Sequence, residues 1–288
     1  MQESKDHHHY PAFMLNRWCG ATGRVHVARN FDGRIAWSDH PPEHVGYEPH
    51  LYFYDERLAE ARRDEIETDY LKPLDTEGAR ILGMILAGQR LDRRDRIRWA
   101  QFLLTMKART PESISRLSTF AEEVLVAALG DAQADYDAMK GSADPATPVD
   151  YLRLRMPGFL ESQGVKQLPR VTTSEQPWRA VLSFDWFILD FERSTLPLVT
   201  SDRPCVYTAG LDDPNCVIAL PLSPRHSMIA TPRGSRAHRT VTQGLVVISQ
   251  LARGLNSRVV SQAESRAFCQ SRHHAPDNWL RKVLPNSR

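Results

Sequence analysis

At 288 residues, with 41% hydrophobic and 25% charged residues, the chain can bury a sizeable core without covalent staples and is too apolar to be disordered. Its 37 Lys and Arg against 35 Asp and Glu leave a formal charge of +2, which excludes a whole-molecule field that gathers nucleic acid or anionic lipid, so any basic function is local. The absence of an 18-residue apolar run, a charged start (Glu3, Lys5, Asp6) and four scattered cysteines without CxxC spacing lead us to expect a cytoplasmic protein with free thiols, no secretory leader and no membrane partner.

The first segment, DHHHYPAFML, carries three adjacent histidines ahead of Pro11. Neutral imidazoles are metal ligands or general bases near neutral pH. On an extended segment neighbouring side chains point to opposite faces, so at most two of the three converge. The alternative is a set of hydrogen-bonded histidines that pins the N-terminus to the core. Residues 24–38, RVHVARNFDGRIAWS, alternate apolar and polar positions on both sides of Asp32-Gly33 and predict a hairpin. The stretch that follows is cut by Pro41, Pro42 and Pro49 and predicts a loop; its prolines forbid the helix that would align His40 and His44 on one metal.

From Asp55 to about Gly130 the apolar period changes to that of a helix. Helices are predicted over 56–71 and 77–88. Trp99, Phe102, Leu103 and Met106 mark one buried face, and Ile114, Leu117, Ala121, Val124, Leu125 and Ala128 another. Thr110-Pro111 punctuates the join between these two, with proline at a first helical position. Arg109 therefore sits at a helix end, where it suits the macrodipole or an anion held by the next helix start. Glu67 lies in the charge-rich RRDEIETDY, whose simplest reading is a solvated helix face.

GSADPATPV, residues 141–149, is the best internal boundary. After a short mixed region, residues from about 180 to 231 break into brief apolar runs cut by Pro, Gly and Asp, the pattern of an antiparallel sheet. A helix is predicted over 241–256, then a strand at SRAFCQ and a final short helix. The expected fold is therefore α+β: a hairpin and helical block at 1–140, then a mainly antiparallel sheet with C-terminal helices at 150–288, integrated as one domain. Within the sheet region, LPLVTSDRP places Asp202 at a chain reversal before Pro204, either as an acid at a strand end or as a cap on nearby backbone N–H groups. The C-terminal arginines are interrupted by Glu264 and Asp277, His273-His274 reads as surface, and no P-loop, GxSxG or GxGxxG motif occurs.

Taken in order, His7-His8-x-x-Pro11 with Phe13 and Leu15, Leu51-Tyr52, Ile66-Glu67, Arg109-Thr110-Pro111, Thr200-Ser201-Asp202-Arg203-Pro204, Pro221-Leu222-Ser223-Pro224 and Asn256 resemble the mostly bacterial family called domain of unknown function 4238, with its HHxxP and TSDxP motifs. The resemblance selects His7 and His8 rather than His9 and Tyr10, and adds Glu67, Arg109, Ser201, Asp202 and Asn256. Two functions are compatible with that set. In the first, His7, His8 and Asp202 hold a divalent metal, Glu67 is an acid or base, Ser201 and Asn256 complete the pocket, and Arg109 holds an anionic substrate for hydrolysis of a phosphodiester or related bond. In the second, a non-catalytic sensor or interaction protein, the same residues form a structural hydrogen-bond network.

Overall fold

A computed structural model describes residues 6–53 and 64–287. Strand β1 (Asp6–His8) and the short helix α1 (Ala12–Leu15) lead to β2 (Val25–Phe31), β3 (Arg34–His40) and β4 (Tyr47–Pro49). Helices α2 (Lys72–Leu86), α3 (Arg93–Ala108), α4 (Pro111–Asp131), α5 (Gln133–Met139), α6 (Pro148–Arg155), α7 (Phe159–Thr173) and α8 (Glu175–Ser183) follow. The remainder runs β5 (Asp185–Asp190), β6 (Thr200–Ser201), β7 (Val206–Tyr207), β8 (Ile218–Ser223), β9 (His226–Thr231), α9 (Arg236–Thr242), α10 (Ile248–Ser261), β10 (Ala267–Cys269) and α11 (Asp277–Val283). This is the expected α+β class. No helix among the described residues is long and apolar enough to cross a membrane.

The predicted hairpin is β2–β3, its turn closed by Asp32 and Gly33, both at positive φ (51° and 84°), as a two-residue hairpin turn demands. Of the helix predicted over 56–71, residues 56–63 lie outside the described residues. Its described end, Ile66–Leu71, is π-helical and runs directly into α2, which starts five residues before the predicted Glu77. The mixed region after residue 147 is helical: Thr147 caps α6 by accepting from the Asp150 N–H, and Pro148 takes the first position. The helix predicted over 241–256 is divided, α9 ending at Thr242 and α10 starting at Ile248, with Gly244 at positive φ between them.

The described residues 6–7, 48–53, 64–73 and 111–172 form one compact unit and 8–47, 74–110 and 173–287 a second. The 141–149 link lies inside the first. In that first unit α7 passes so close to α4 that a Cβ on Gly164 would stand 2.3 Å from the Ser118 backbone. Only Ile114 of the apolar face expected for α4 is buried; Val124 of that face is 53% exposed. Periodicity identifies an apolar face but not how much of it the fold covers.

The second unit contains two four-stranded antiparallel sheets, ordered β3-β2-β10-β6 and β5-β9-β8-β7. The N-terminal hairpin thus shares a sheet with the C-terminal strand β10, Val27 facing Phe268 and Phe268 facing Thr200. Pro221 stands inside the central strand β8, and the ladder to β9 shifts register between Pro221 and Ser223; the irregularity accommodates a residue that cannot donate. The α3 face Trp99, Phe102, Leu103 and Met106 is buried as expected, and the Trp99 indole N–H donates to the Met228 sulfur at 2.9 Å. All four cysteines are free, three of them buried, and burial pushes the Cys205 and Cys269 thiols up to about 12, which suits packing rather than reactivity.

Candidate functional site

In the first unit, β1 carries His7 into full burial. Its ring stacks on Tyr52 (centroids 5.3 Å apart, planes 9° apart) and meets the edge of Phe53 at 4.8 Å. The Tyr52 backbone N–H donates to His7 Nδ1 at 2.8 Å. A nitrogen that accepts has no proton, so the neutral ring carries its hydrogen on Nε2. That nitrogen lies 3.0 Å from Asp64 Oδ1, an ion-pair distance without hydrogen-bond geometry. Asp64 opens the helical turn that continues as Ile66–Leu71, with its carbonyl accepting from the Thr68 N–H at 2.8 Å. Three residues on is Glu67, also buried. The solvated-face reading of Glu67 therefore does not hold, and π-helical turns concentrate at functional positions.

In the second unit, the histidine segment is bound through its backbone as well as its rings. Gly46 O accepts from the N–H groups of both His9 and Tyr10 at 2.9 Å. Gly46 has φ +73°, and a Cβ there would stand 2.9 Å from Tyr10 O, so both conformation and space require glycine. His8 Nε2 lies 3.1 Å from the Glu43 carbonyl. Tyr10, fully buried, shares a hydrogen bond with Thr200 Oγ1 at 2.9 Å. His9 is buried too, and desolvation pulls its pKa down to about 3, helped by the charges of Arg266 and Arg109 and opposed by a bond to the Asp202 backbone. Its Nδ1 has no hydrogen-bond partner among the described residues. His9 and Tyr10, which the motif passes over, are thus as deeply integrated as His7.

Arg109, fully buried at the end of α3, donates through Nε to His9 O at 2.9 Å and grips Asp75 with both terminal nitrogens at 2.8 and 3.1 Å. This is a bidentate pair, and it turns the guanidinium fork toward a carboxylate of the chain itself.

The TSD residues form a second knot. Asp202 Oδ1 accepts from the Glu264 N–H at 2.8 Å, and Oδ2 accepts from the N–H groups of Ser265 and Arg266, both at 2.9 Å. Burial raises the Asp202 pKa, and those three N–H groups oppose the rise. Ser201 Oγ donates to Val259 O at 2.8 Å and accepts from the Arg203 N–H. Asn256, on α10, accepts from the Val199 N–H at 3.0 Å and donates to Pro197 O at 2.9 Å. Ser201, Asp202 and Asn256 are therefore brought together around β6, each bonded to backbone.

Of the expected site residues, His7 and Glu67 belong to the first unit and His8, Arg109, Ser201, Asp202 and Asn256 to the second. Among the described residues no group of three or more His, Cys, Asp or Glu side chains is placed to hold a metal ion. Asp64 and Asp75 were missed by the sequence reading: each is one acid in a charge-rich helical stretch, distinguishable only by its buried partner.

A family model described as Protein of unknown function (DUF4238) matches residues 6–273. No curated protein and no solved structure matches the chain.

Proposed function

The chain belongs to the DUF4238 family of proteins of unknown function, and we propose that it is a hydrolase working by acid–base chemistry on the carboxylates of Asp64 and Glu67, with the His7 ring close beside Asp64. One observation carries this reading: two buried carboxylates three residues apart, one of them 3.0 Å from a buried imidazole nitrogen that bears the ring proton. Hydrolysis by general acid and base requires such a pair, one member taking a proton from water while the other protonates the leaving group. The member that acts as base is an ionised carboxylate and repels an anion, so this arrangement favours an uncharged scissile group, an ester or a glycoside, over the phosphodiester suggested by the motifs. In this reading the TSD residues, Asn256 and Arg109 are scaffold.

A second reading is favoured by the bonds of Asp202, whose two oxygens are taken up by three backbone N–H groups: a non-catalytic interaction protein in which the whole motif set is a structural network. One assay separates the two. Chromogenic esters, glycosides and bis(p-nitrophenyl) phosphate are offered to the purified full chain from pH 4 to 9, with and without Mg²⁺ or Mn²⁺. Wild type is expected to turn over one uncharged class, and Glu67→Gln to lose about 10²–10⁴-fold of that rate with its melting temperature within a few degrees of wild type. No turnover in wild type, or an unchanged rate in Glu67→Gln and Asp64→Asn, overturns the hydrolase and leaves the network reading.

A further inference from the structure

The loop between α2 and α3 and the first turn of α3 read QRLDRRDRIRW. Here a cleft of about 580 Å³ is lined by Arg90, Leu91, Asp92, Arg93, Arg96 and Leu182, all within the second unit. Three of the lining residues are arginines, and among the described residues no carboxylate forms an ion pair with Arg90, Arg93 or Arg96. The acids nearby have other partners. Asp92 caps α3 by accepting from the Asp95 N–H, Asp95 pairs with Arg80, and Asp185 pairs with Arg233 and His238.

Arg96 is held in place rather than left to wander. Its guanidinium carbon lies 4.1 Å from the centroid of Trp186, and the Trp186 indole is fixed by its N–H bond to Val181 O at 3.0 Å. Partial burial pulls the Arg96 pKa down, only partly offset by Asp185: a cation moved out of water without a carboxylate of its own. An anion in the cleft would return the lost solvation.

We infer that this cleft binds a phosphate-bearing small molecule. Planar guanidinium forks match phosphate oxygens two at a time, and three of them complement a multiply charged group better than a single carboxylate. Leu91 and Leu182 supply apolar walls for an uncharged portion of the ligand. The volume is that of a small-molecule site rather than of a track for a polymer, in keeping with a chain whose overall charge is only +2. Because Asp92 already caps α3, the recognition belongs to side chains and not to the helix end. This inference is independent of the acid–base pair at Asp64 and Glu67.

The test uses inorganic pyrophosphate as the probe, followed by isothermal titration calorimetry on the full chain, with a ten-residue single-stranded oligonucleotide as the second arm. Wild type is expected to bind pyrophosphate saturably, with affinity falling as salt is raised. The double variant Arg93→Gln/Arg96→Gln should lose at least about tenfold in affinity, or about 1.4 kcal/mol. Arg96→Lys should fall between them, since it keeps the charge but not the fork. All three proteins should share a melting temperature within a few degrees, because the substituted groups are not core. Absence of saturable binding, equal binding by the double variant, or binding of the oligonucleotide alone overturns the assignment.

Discussion

Asp202 and His9 illustrate how two polar groups can be buried side by side with opposite consequences. The carboxylate of Asp202 faces three backbone N–H groups from residues 264–266, so its burial is compensated by charge-assisted bonds. His9 is compensated only as a neutral ring, and its pKa is pulled down to about 3 by burial and by Arg266 and Arg109. The sign for stability follows. Between pH 6.5 and about 3 the unfolded chain binds a proton that folded His9 refuses, so the unfolded state gains and stability falls as the pH drops through that window. Wild type at pH 5 should therefore lose roughly 2 kcal/mol relative to pH 7 from this residue. Urea unfolding at both pH values, set against His9→Leu, isolates the contribution. If the variant loses as much on acidification as wild type does, His9 is not the group responsible.

Helices were largely legible because their signals are local. Thr110-Pro111 announced the start of α4, and the buried stripe on α3 could be read from Trp99 to Met106, whereas α6, α7 and α8 lie in a stretch read only as a boundary and a mixed region. What covers a stripe is not local. Nothing in residues 111–128 tells that Val124 would remain exposed while Ile114 is buried, and nothing around Glu67 tells that its turn is π-helical and internal. The contact of α4 with α7 is of the same kind, since it depends on one missing side chain. In the interior of α7, Gly164 is intrinsically unfavourable relative to alanine by about 1 kcal/mol, yet a Cβ there would stand 2.3 Å from Ser118 Cα and N and 2.6 Å from Leu117 C. Backbone atoms cannot rotate away, so overpacking outweighs propensity, and Gly164→Ala should destabilise by about 1–3 kcal/mol. Gly83→Ala in α2, where the new Cβ meets nothing within 4 Å, should instead be neutral or stabilising by up to about 1 kcal/mol. Opposite signs in denaturant midpoints are the expected result. A stable Gly164→Ala would mean that α4 and α7 can separate freely.

At the scale of the whole molecule, the hairpin and most C-terminal strands were legible, β1 and β4 were not, and no strand's distant partner was. The hairpin β2–β3 follows from Asp32-Gly33, but that β2 is completed by a strand at Ala267–Cys269 could not be read from either segment. Such pairing closes a loop over nearly the whole chain and is selected only once both ends exist. The same holds for the motif residues. HHxxP and TSDxP lie in stretches that the fold buries, while the bonds of Asp202, Ser201 and Asn256 run to backbone groups around 57 to 64 positions away. β10 lies between β2 and β6 in its sheet, and the segment just before it supplies all three N–H groups bound by Asp202. A chain ending at Gln262 would leave β2 with an unpaired inner edge, Asp202 with a buried charge and no donors, and the core without Phe268. Each loss alone is costly, and together they should remove the cooperative unfolding of the second unit. Near-ultraviolet circular dichroism and urea titration are the measurements. A truncated protein that keeps fixed aromatic signals and a sharp transition would show that the sheet closes without its C-terminal strand, and that the TSD knot is not what holds it.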